Sequence, residues 1–190
     1  SFVAQCRGWL PDPIGGILWF GVDDTYSTVY VPVYSGIQSV PLEFRQGNGA
    51  MMEFSDSAAF WIFNQVSNFA YTRYNLMIPH IREKQADLEE SFISGVLATD
   101  RMLAERYAEQ PMEVLAELTG DTHRRSAETL DEWKKLYRFL FTRYMDGNVK
   151  TPVEGELNPK LEQPGYSDYW YRKIIDETGD KFLYHNEPAH

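Results

Sequence analysis

Between Arg7 and Tyr34 the chain alternates short apolar runs with tight-turn residues, and this stretch limits the fold more than any other. It reads Arg-Gly-Trp-Leu-Pro-Asp-Pro-Ile-Gly-Gly-Ile-Leu-Trp-Phe-Gly-Val-Asp-Asp and, from Thr28, Thr-Val-Tyr-Val-Pro-Val-Tyr. Just ahead of it, Phe2 to Arg7 has period-two character, with Phe2, Ala4 and Cys6 on one face and Val3, Gln5 and Arg7 on the other. Asp12-Pro13-Ile14-Gly15-Gly16 joins a proline-fixed φ to two residues that accept positive φ, which predicts a turn before a second strand at Ile17 to Val22. Asp23-Asp24-Thr25 makes the next turn, and Ser27 to Tyr34 predicts a third strand, edge-like because Pro32 cannot donate a ladder hydrogen bond. A meander with a continuous apolar run at Ile17-Leu18-Trp19-Phe20 needs cover on both faces, from helices or from a larger sheet that it joins.

Most of the remaining chain reads as helix. Beyond Gly47-Asn48-Gly49, Ser55 or Ser57 offers an N-cap to an apolar helix through Phe60, Phe63, Val66, Phe69, Ala70 and Tyr74. Pro79 should kink or end it, and a charged helix from Arg82 to Tyr107 carries the seam Leu88, Phe92, Val96 or Leu97, and Leu103. Pro111 opens a helical segment at Met112 to Leu118 with Gly120 as its stop. A last long helix near Ser126 to Met145 shows Leu130, Trp133, Tyr137, Leu140, Phe141 and Tyr144 on one stripe. Pro152, Pro159 and Pro164 mark a long surface loop, followed by a short helix around Asp168 to Glu177 and an apolar stretch, Phe182-Leu183-Tyr184. The expected fold is α+β, with antiparallel strands in a β-rich segment 1–50, a helical layer at 55–146, and loop, short helix and terminal strand at 147–190.

Bulk properties remove several function classes. A chain of 190 residues buries on the order of 70% of its unfolded surface. Its 15% aromatic content supports a sizeable core. A net charge of -10, with no basic run longer than His123-Arg124-Arg125, opposes a phosphate backbone, so no nucleic-acid partner is expected. Apolar runs are broken by Gly, Asp or Asn before they reach membrane-spanning length. One cysteine excludes an internal disulfide, and a homo-oligomer stays open. The chain opens with Ser-Phe-Val-Ala-Gln and its first methionine is Met51, which suggests a piece of a longer polypeptide.

Candidate chemistry is sparse. His80, His123, His185 and His190 are widely spaced, with no second ligand at metal-binding spacing, and Gly15-Gly16 precedes a strand and not a helix, so neither metal nor nucleotide cofactor is expected. Cys6 is the obvious nucleophile to test, with Arg7 beside it, but a free cysteine sharing a face with Phe2 and Ala4 reads first as a small buried apolar residue. Arg7, the only basic residue before Arg45, could clamp a substrate carboxylate or form a structural pair with Asp12, Asp23 or Asp24. Asp23-Asp24 is a carboxylate pair or an Asx-type turn. Trp9, Trp19, Tyr26, Tyr30 and Tyr34 could stack on sugar rings, as in an extracellular carbohydrate-binding or interaction domain, but such residues more often pack a small sheet. The glutamates from Glu83 to Glu90 read as a solvated helix face.

The run from Arg7 to Asp24, its continuation Thr28 to Tyr34, and Asp56-Ser-Ala-Ala-Phe-Trp-Ile-Phe-Asn-Gln-Val-Ser-Asn together resemble the later part of the cysteine dipeptidases of the N-terminal nucleophile hydrolase superfamily. The secernins and, more remotely, penicillin V acylase and bile salt hydrolase are relatives of that family. The resemblance implies a four-layer αββα sandwich to which this chain contributes strands and an outer helical layer. It also implies a mature N-terminal cysteine that attacks the amide carbonyl of a dipeptide, with its own α-amino group as base. An α-amino pKa near roughly 8 suits that task. Residue 1 is Ser, and Cys6 does not match the family's nucleophile, so the chain is read as a C-terminal portion that acts with a missing N-terminal segment. Arg7 then matches a basic residue on a late strand near the nucleophile, with Trp9 and Asp24 as candidate substrate-binding residues.

Overall fold

The computed structural model describes residues 1–183, which divide into two compact units, Ser1–Phe141 and the residues from Thr142 onward. The protein is α+β. In the first unit, strands β1 (Phe2–Cys6), β2 (Gly16–Phe20) and β3 (Val31–Tyr34) form an antiparallel sheet in sequence order, joined between β1 and β2 by one helical turn, α1 (Asp12–Gly15). Cys6 pairs with Gly16 and Phe2 with Phe20, while Ile17 pairs with Tyr34 and Phe20 with Val31. The third strand is thus shorter than its β-rich sequence suggests, because Asp23 takes a positive φ of 62° and Asp24 caps a turn that holds the chain out of the ladder until Val31.

Helices α2 (Ala59–Ala70), α3 (Tyr74–Tyr107) and α4 (Pro111–Tyr144) supply the rest of the core. Period-two alternation puts Val3, Gln5, Ile17, Trp19 and Tyr34 on one face of the sheet. That face is the covered one: Ile17 and Tyr34 share a buried cluster with Ile14, Val96 and Leu103 of α3, and Val114 and Leu118 of α4. Phe63 of α2 stacks on Trp133 of α4 at 4.8 Å, filling the far end of the helical layer.

The opposite sheet face is largely open. A short 3-10 turn, Leu42–Phe44, sets Phe44 edge-on to Phe20 at 5.2 Å and covers that corner. Phe2, Ala4, Cys6 and Leu18 are left exposed, with Phe2 at 65%. The expectation of cover on both faces is therefore met on one face only among the described residues.

Helix boundaries depart from their sequence signals in three places. Ser55 and Ser57 do not cap α2. Both hydroxyls donate to Asn48 Oδ1, at 2.7 and 2.9 Å, and the helix starts from Ala58 without a side-chain cap. The break expected at Pro79 falls instead at Tyr71–Arg73, and Pro79 lies inside α3. Five residues in from Tyr74, it forfeits a single i→i−4 bond, which the buried anchors Met77 and Ile81 on either side outweigh. Gly120 does not stop a helix: α4 runs through it, since Val114, Leu118, Thr122, Ser126, Thr129 and Trp133 keep one buried stripe. A glycine penalty of about 1 kcal/mol is small beside that burial.

In the second unit, the segment expected to be loop contains a small antiparallel pair, β4 (Val149–Thr151) and β5 (Lys160–Glu162), with Pro152 just after the one and Pro159 just before the other. Helix α5 (Asp168–Thr178) follows, capped by the Ser167 hydroxyl, which accepts the Trp170 N–H. The expected terminal strand is not formed at Phe182, which closes a 3-10 turn, and Tyr184 lies outside the described residues. His185 and His190 lie outside them as well. Among the described residues, no helix is long and apolar enough to cross a membrane.

Candidate functional site

Arg7 stands where β1 ends and the chain doubles back. Its N–H donates to Gly15 O at 2.9 Å and its carbonyl accepts the Leu10 N–H at 3.0 Å, so the backbone closes tightly on itself. Gly15 permits this, because a Cβ there would lie 2.7 Å from the Arg7 carbonyl oxygen. The side chain, only 6% exposed, turns inward. Nε donates to Gly15 O at 3.3 Å, Nη2 to Ile14 O at 2.5 Å, and Nη1 pairs with the Asp100 carboxylate of α3. The other Asp100 oxygen accepts the Tyr34 hydroxyl at 3.2 Å.

One guanidinium thus ties the end of α1 to helix α3, and the carboxylate it pairs with holds the Tyr34 hydroxyl of β3. Its carboxylate partner is Asp100, and not the nearby Asp12, Asp23 or Asp24 that sequence proximity offers. Burial pushes the Tyr34 hydroxyl far above the ordinary tyrosine range, with the Asp100 charge adding to it. Burial likewise lifts the Asp100 carboxyl, while Arg7 and the Tyr34 hydrogen bond pull the other way.

The three residues singled out in the sequence do not converge. Trp9 stays at the Arg7 end, 79% exposed. Asp24 follows the far end of β2, beyond the Phe2–Phe20 pair. Five residues of strand, about 17 Å, separate the two ends of this hairpin. The Asp24 carboxylate accepts the Tyr26 N–H at 3.2 Å and the Ser27 hydroxyl at 3.3 Å, an Asx-type turn, and takes the Tyr71 hydroxyl at 2.8 Å. That last bond holds the Tyr71 hydroxyl above its usual range. Asp23 accepts the Ser67 hydroxyl at 2.5 Å, so each carboxylate of the pair has its own work at the turn.

Cys6 is exposed, against the expectation of burial. It lies on the uncovered face of an edge strand, and the guanidinium next to it in sequence points the other way, toward Asp100. The five aromatics divide as well. Tyr34 is buried; Tyr30 is half-buried; Trp19 is half-buried and donates from Nε1 to Gln5 Oε1 at 2.9 Å; Trp9 and Tyr26 are exposed at opposite ends of the sheet. They form no single stacking row.

Two adjoining clefts run along α3 beside the sheet. One, of about 540 Å³, is lined by Val3, Gln5, Trp19 and Ile93; the other, of about 490 Å³, by Tyr26, Thr28, Arg82 and Gln85; Tyr30 and Glu89 border both. A third, of about 400 Å³, lies between α3 and α4 around Glu132, which is paired with Lys84 at 2.8 Å and Lys135 at 2.7 Å. Hydrogen bonds from Lys135 and Lys84 hold the Glu132 carboxyl below its usual range. Among the described residues no group of His, Cys, Asp or Glu could hold a metal ion.

Two buried ionic residues escape a reading of the sequence. Asp100 continues the seam Leu88, Phe92, Val96 at a four-residue step, so a lone acid on a buried stripe is its signal. Arg125 belongs to the short basic run from His123, yet its side chain is buried, donating to Asp121 at 2.7 Å and lying over the Phe92 ring at 5.7 Å.

The architecture therefore defines an α+β protein whose sheet is clad by helices on one face, with a buried arginine at the turn between its first two strands. Residues 1–87, which span all three strands, α2 and the start of α3, match the model of Peptidase family C69, a match over less than half of the chain. Over that stretch the match agrees with the resemblance to cysteine dipeptidases read from Arg7 to Asn68. None of the curated proteins compared matches the chain.

Proposed function

We propose that the chain is the C-terminal part of a cysteine dipeptidase that hydrolyses the amide bond of dipeptides, with an N-terminal cysteine nucleophile supplied by a segment outside these 190 residues. The observation that carries this reading is the peptidase-family match over the whole sheet. The open apolar face formed by Phe2, Ala4, Cys6 and Leu18 supports it, since a second sheet stacked there would complete an αββα sandwich. In this reading the nucleophile's thiol gives its proton to its own α-amino group and attacks the carbonyl carbon, backbone and asparagine N–H groups hold the oxyanion, the C–N bond breaks as the proton passes to the leaving amine, and water then hydrolyses the thioester to free the acid and the thiol.

Arg7 acts here as a positioning residue. Locked to Asp100, it sets the end of β1 and the exit of the chain toward Trp9, and the exposed Trp9 ring is the group left free to contact substrate. Asp24, at the opposite end of the hairpin, shapes the turn that carries Tyr26.

The test uses a polypeptide extended upstream of Ser1. It should hydrolyse dipeptides; Trp9→Ala should raise KM with little effect on kcat or on unfolding, and Cys6→Ser should leave both constants unchanged. Loss of hydrolysis in a folded Cys6→Ser variant would make Cys6 the nucleophile and overturn the assignment of that role to another segment.

A further inference from the structure

Helix α3 covers its face of the sheet unevenly. It packs on β3, the strand furthest from β1. Neighbouring strands lie about 4.8 Å apart, so β1 stands about 10 Å from β3, roughly one helix diameter away. The first strand therefore projects beyond the helix, and the space beside it is the cleft of about 540 Å³. Val3, Gln5 and Trp19 form its floor, and Glu89 and Ile93 of α3 form its wall. The bond from Trp19 Nε1 to Gln5 Oε1 holds the indole in place, and Ile93 is 52% exposed.

Glu89 is the one charged residue on this lining among the described residues. Its Oε1 accepts the Tyr30 N–H at 3.1 Å, which orients the carboxylate, while Oε2 accepts no bond among the described residues. The sequence explains why no cation of the chain pairs with it. Three and four residues away along the helix stand Gln85, Ala86, Phe92 and Ile93, none of them basic. Gln85 gives its amide to the Tyr26 and Thr28 carbonyls. On the sheet side, residues 1–22 hold a single cationic side chain, Arg7, and that one is committed to Asp100. An oriented carboxylate among apolar walls is complementary to a cation that brings its own apolar surface. The net charge of -10 favours the approach of such a ligand.

We infer that this cleft binds a primary ammonium ion attached to an apolar group, the ammonium donating to Glu89 Oε2 and the apolar group lying between Trp19 and Ile93. A free amine and the N-terminal residue of a peptide share that chemistry. A free α-amino acid is disfavoured, because it sets a second carboxylate beside the ammonium and against Glu89. Arg82 separates the two sources. It stands two turns earlier on α3, about 10 Å away, where it borders the adjoining cleft and lies over the Tyr26 ring at 5.8 Å. It makes no ion pair among the described residues. A dipeptide with its ammonium on Glu89 brings its carboxylate within reach of that guanidinium. The inference does not rest on the peptidase reading: this chain can bind an amine without hydrolysing anything, and an extended polypeptide can hydrolyse dipeptides while this cleft binds nothing.

Isothermal titration calorimetry of the 190-residue chain tests it at pH ~7, where an alkylamine is protonated. Isoamylamine is the probe, isoamyl alcohol its neutral counterpart, and methylamine the cation without the apolar group. Isoamylamine should bind saturably at one site, and the other two at least tenfold more weakly. Its titration should shift the Trp19 indole N–H resonance. Glu89→Gln, whose amide oxygen can still accept the Tyr30 N–H, should remove the preference for the amine over the alcohol. Ile93→Ser should weaken isoamylamine about tenfold, with far-UV circular dichroism unchanged in both variants. Leu-Gly then identifies the source. Binding tighter than that of isoamylamine, with the excess lost in Arg82→Ala, assigns the cleft to peptides; equal or weaker binding assigns it to free amines. The inference is overturned if neither isoamylamine nor Leu-Gly saturates the chain, if amine and alcohol bind equally, or if a folded Glu89→Gln variant keeps the preference for the amine.

Discussion

Removing the Arg7 side chain strands the Asp100 carboxylate among apolar neighbours and leaves the Ile14 and Gly15 carbonyls without the guanidinium. Breaking a buried ion pair from one side costs about 3–5 kcal/mol. Arg7→Ala should thus lower the urea midpoint of unfolding. Asp100→Ala should be comparably damaging, and the double variant less so than the sum of the two. Tyr34 adds a pH signature. Its hydroxyl stays protonated in the fold well above the point, near pH ~10, at which an unfolded tyrosine ionises. The folded state therefore holds a proton that the unfolded chain loses. This contribution is fully present below pH ~10 and is lost as pH rises past it. Stability measured by urea unfolding should fall between pH ~9 and ~11, and Tyr34→Phe should flatten that fall. An unchanged alkaline slope in Tyr34→Phe would remove Tyr34 as its source.

Two glycines on the long helices separate local propensity from packing. At Gly95 of α3, a Cβ would meet Arg125 Nη2 at 2.6 Å, and that guanidinium is held by Asp121 and the Phe92 ring. Gly95→Ala should cost about 1–3 kcal/mol, since Arg125 cannot swing away without losing a buried partner. At Gly120 of α4, which is exposed, a Cβ would meet nothing within 4 Å, so alanine encounters no obstacle. Gly120→Ala should stabilise by about 0.5–1 kcal/mol. Opposite signs in thermal or urea unfolding check the pair. The same contrast explains why Gly120 is a poor stop signal: a helix end needs the loss of a buried stripe as well as a permissive residue, and Leu118, Thr122 and Ser126 maintain the stripe across it.

At the scale of the whole molecule, the cladding of one sheet face and the openness of the other govern what can bind. Cys6 reports on the open face directly. In the 190-residue chain the native thiol should react with a water-soluble thiol reagent nearly as fast as in urea, because it is exposed and points away from the helices. In a longer polypeptide whose added segment covers that face, labelling should slow at least tenfold. Equal rates in the two proteins would leave the face uncovered and take away the support it lends to a sandwich.

Much of the architecture is legible in the order of residues. Alternation from Phe2 onward, the proline and glycine turn at Asp12–Gly16 and the apolar helix seams specify strands and helices because each pattern has a period that only one backbone geometry can satisfy. The resemblance carried by Arg7 to Asn68 likewise needs only order along the chain. Side-chain partnership is not legible there, because it depends on which distant residues the fold brings within a few ångströms. Arg7 has three acidic neighbours in sequence and pairs with Asp100, 93 residues away, because its side chain follows the covered face of the sheet toward α3. Cys6 looks buried by its neighbours and is exposed because no element packs on its face. The sequence by itself determined the strands of the first sheet and the long helices, since those depend on local periodicity, but not the β4–β5 pair or the 3-10 turn at Phe182. The tertiary structure alone decided which charges pair and which apolar face stays open, since those depend on contacts between residues far apart in the chain.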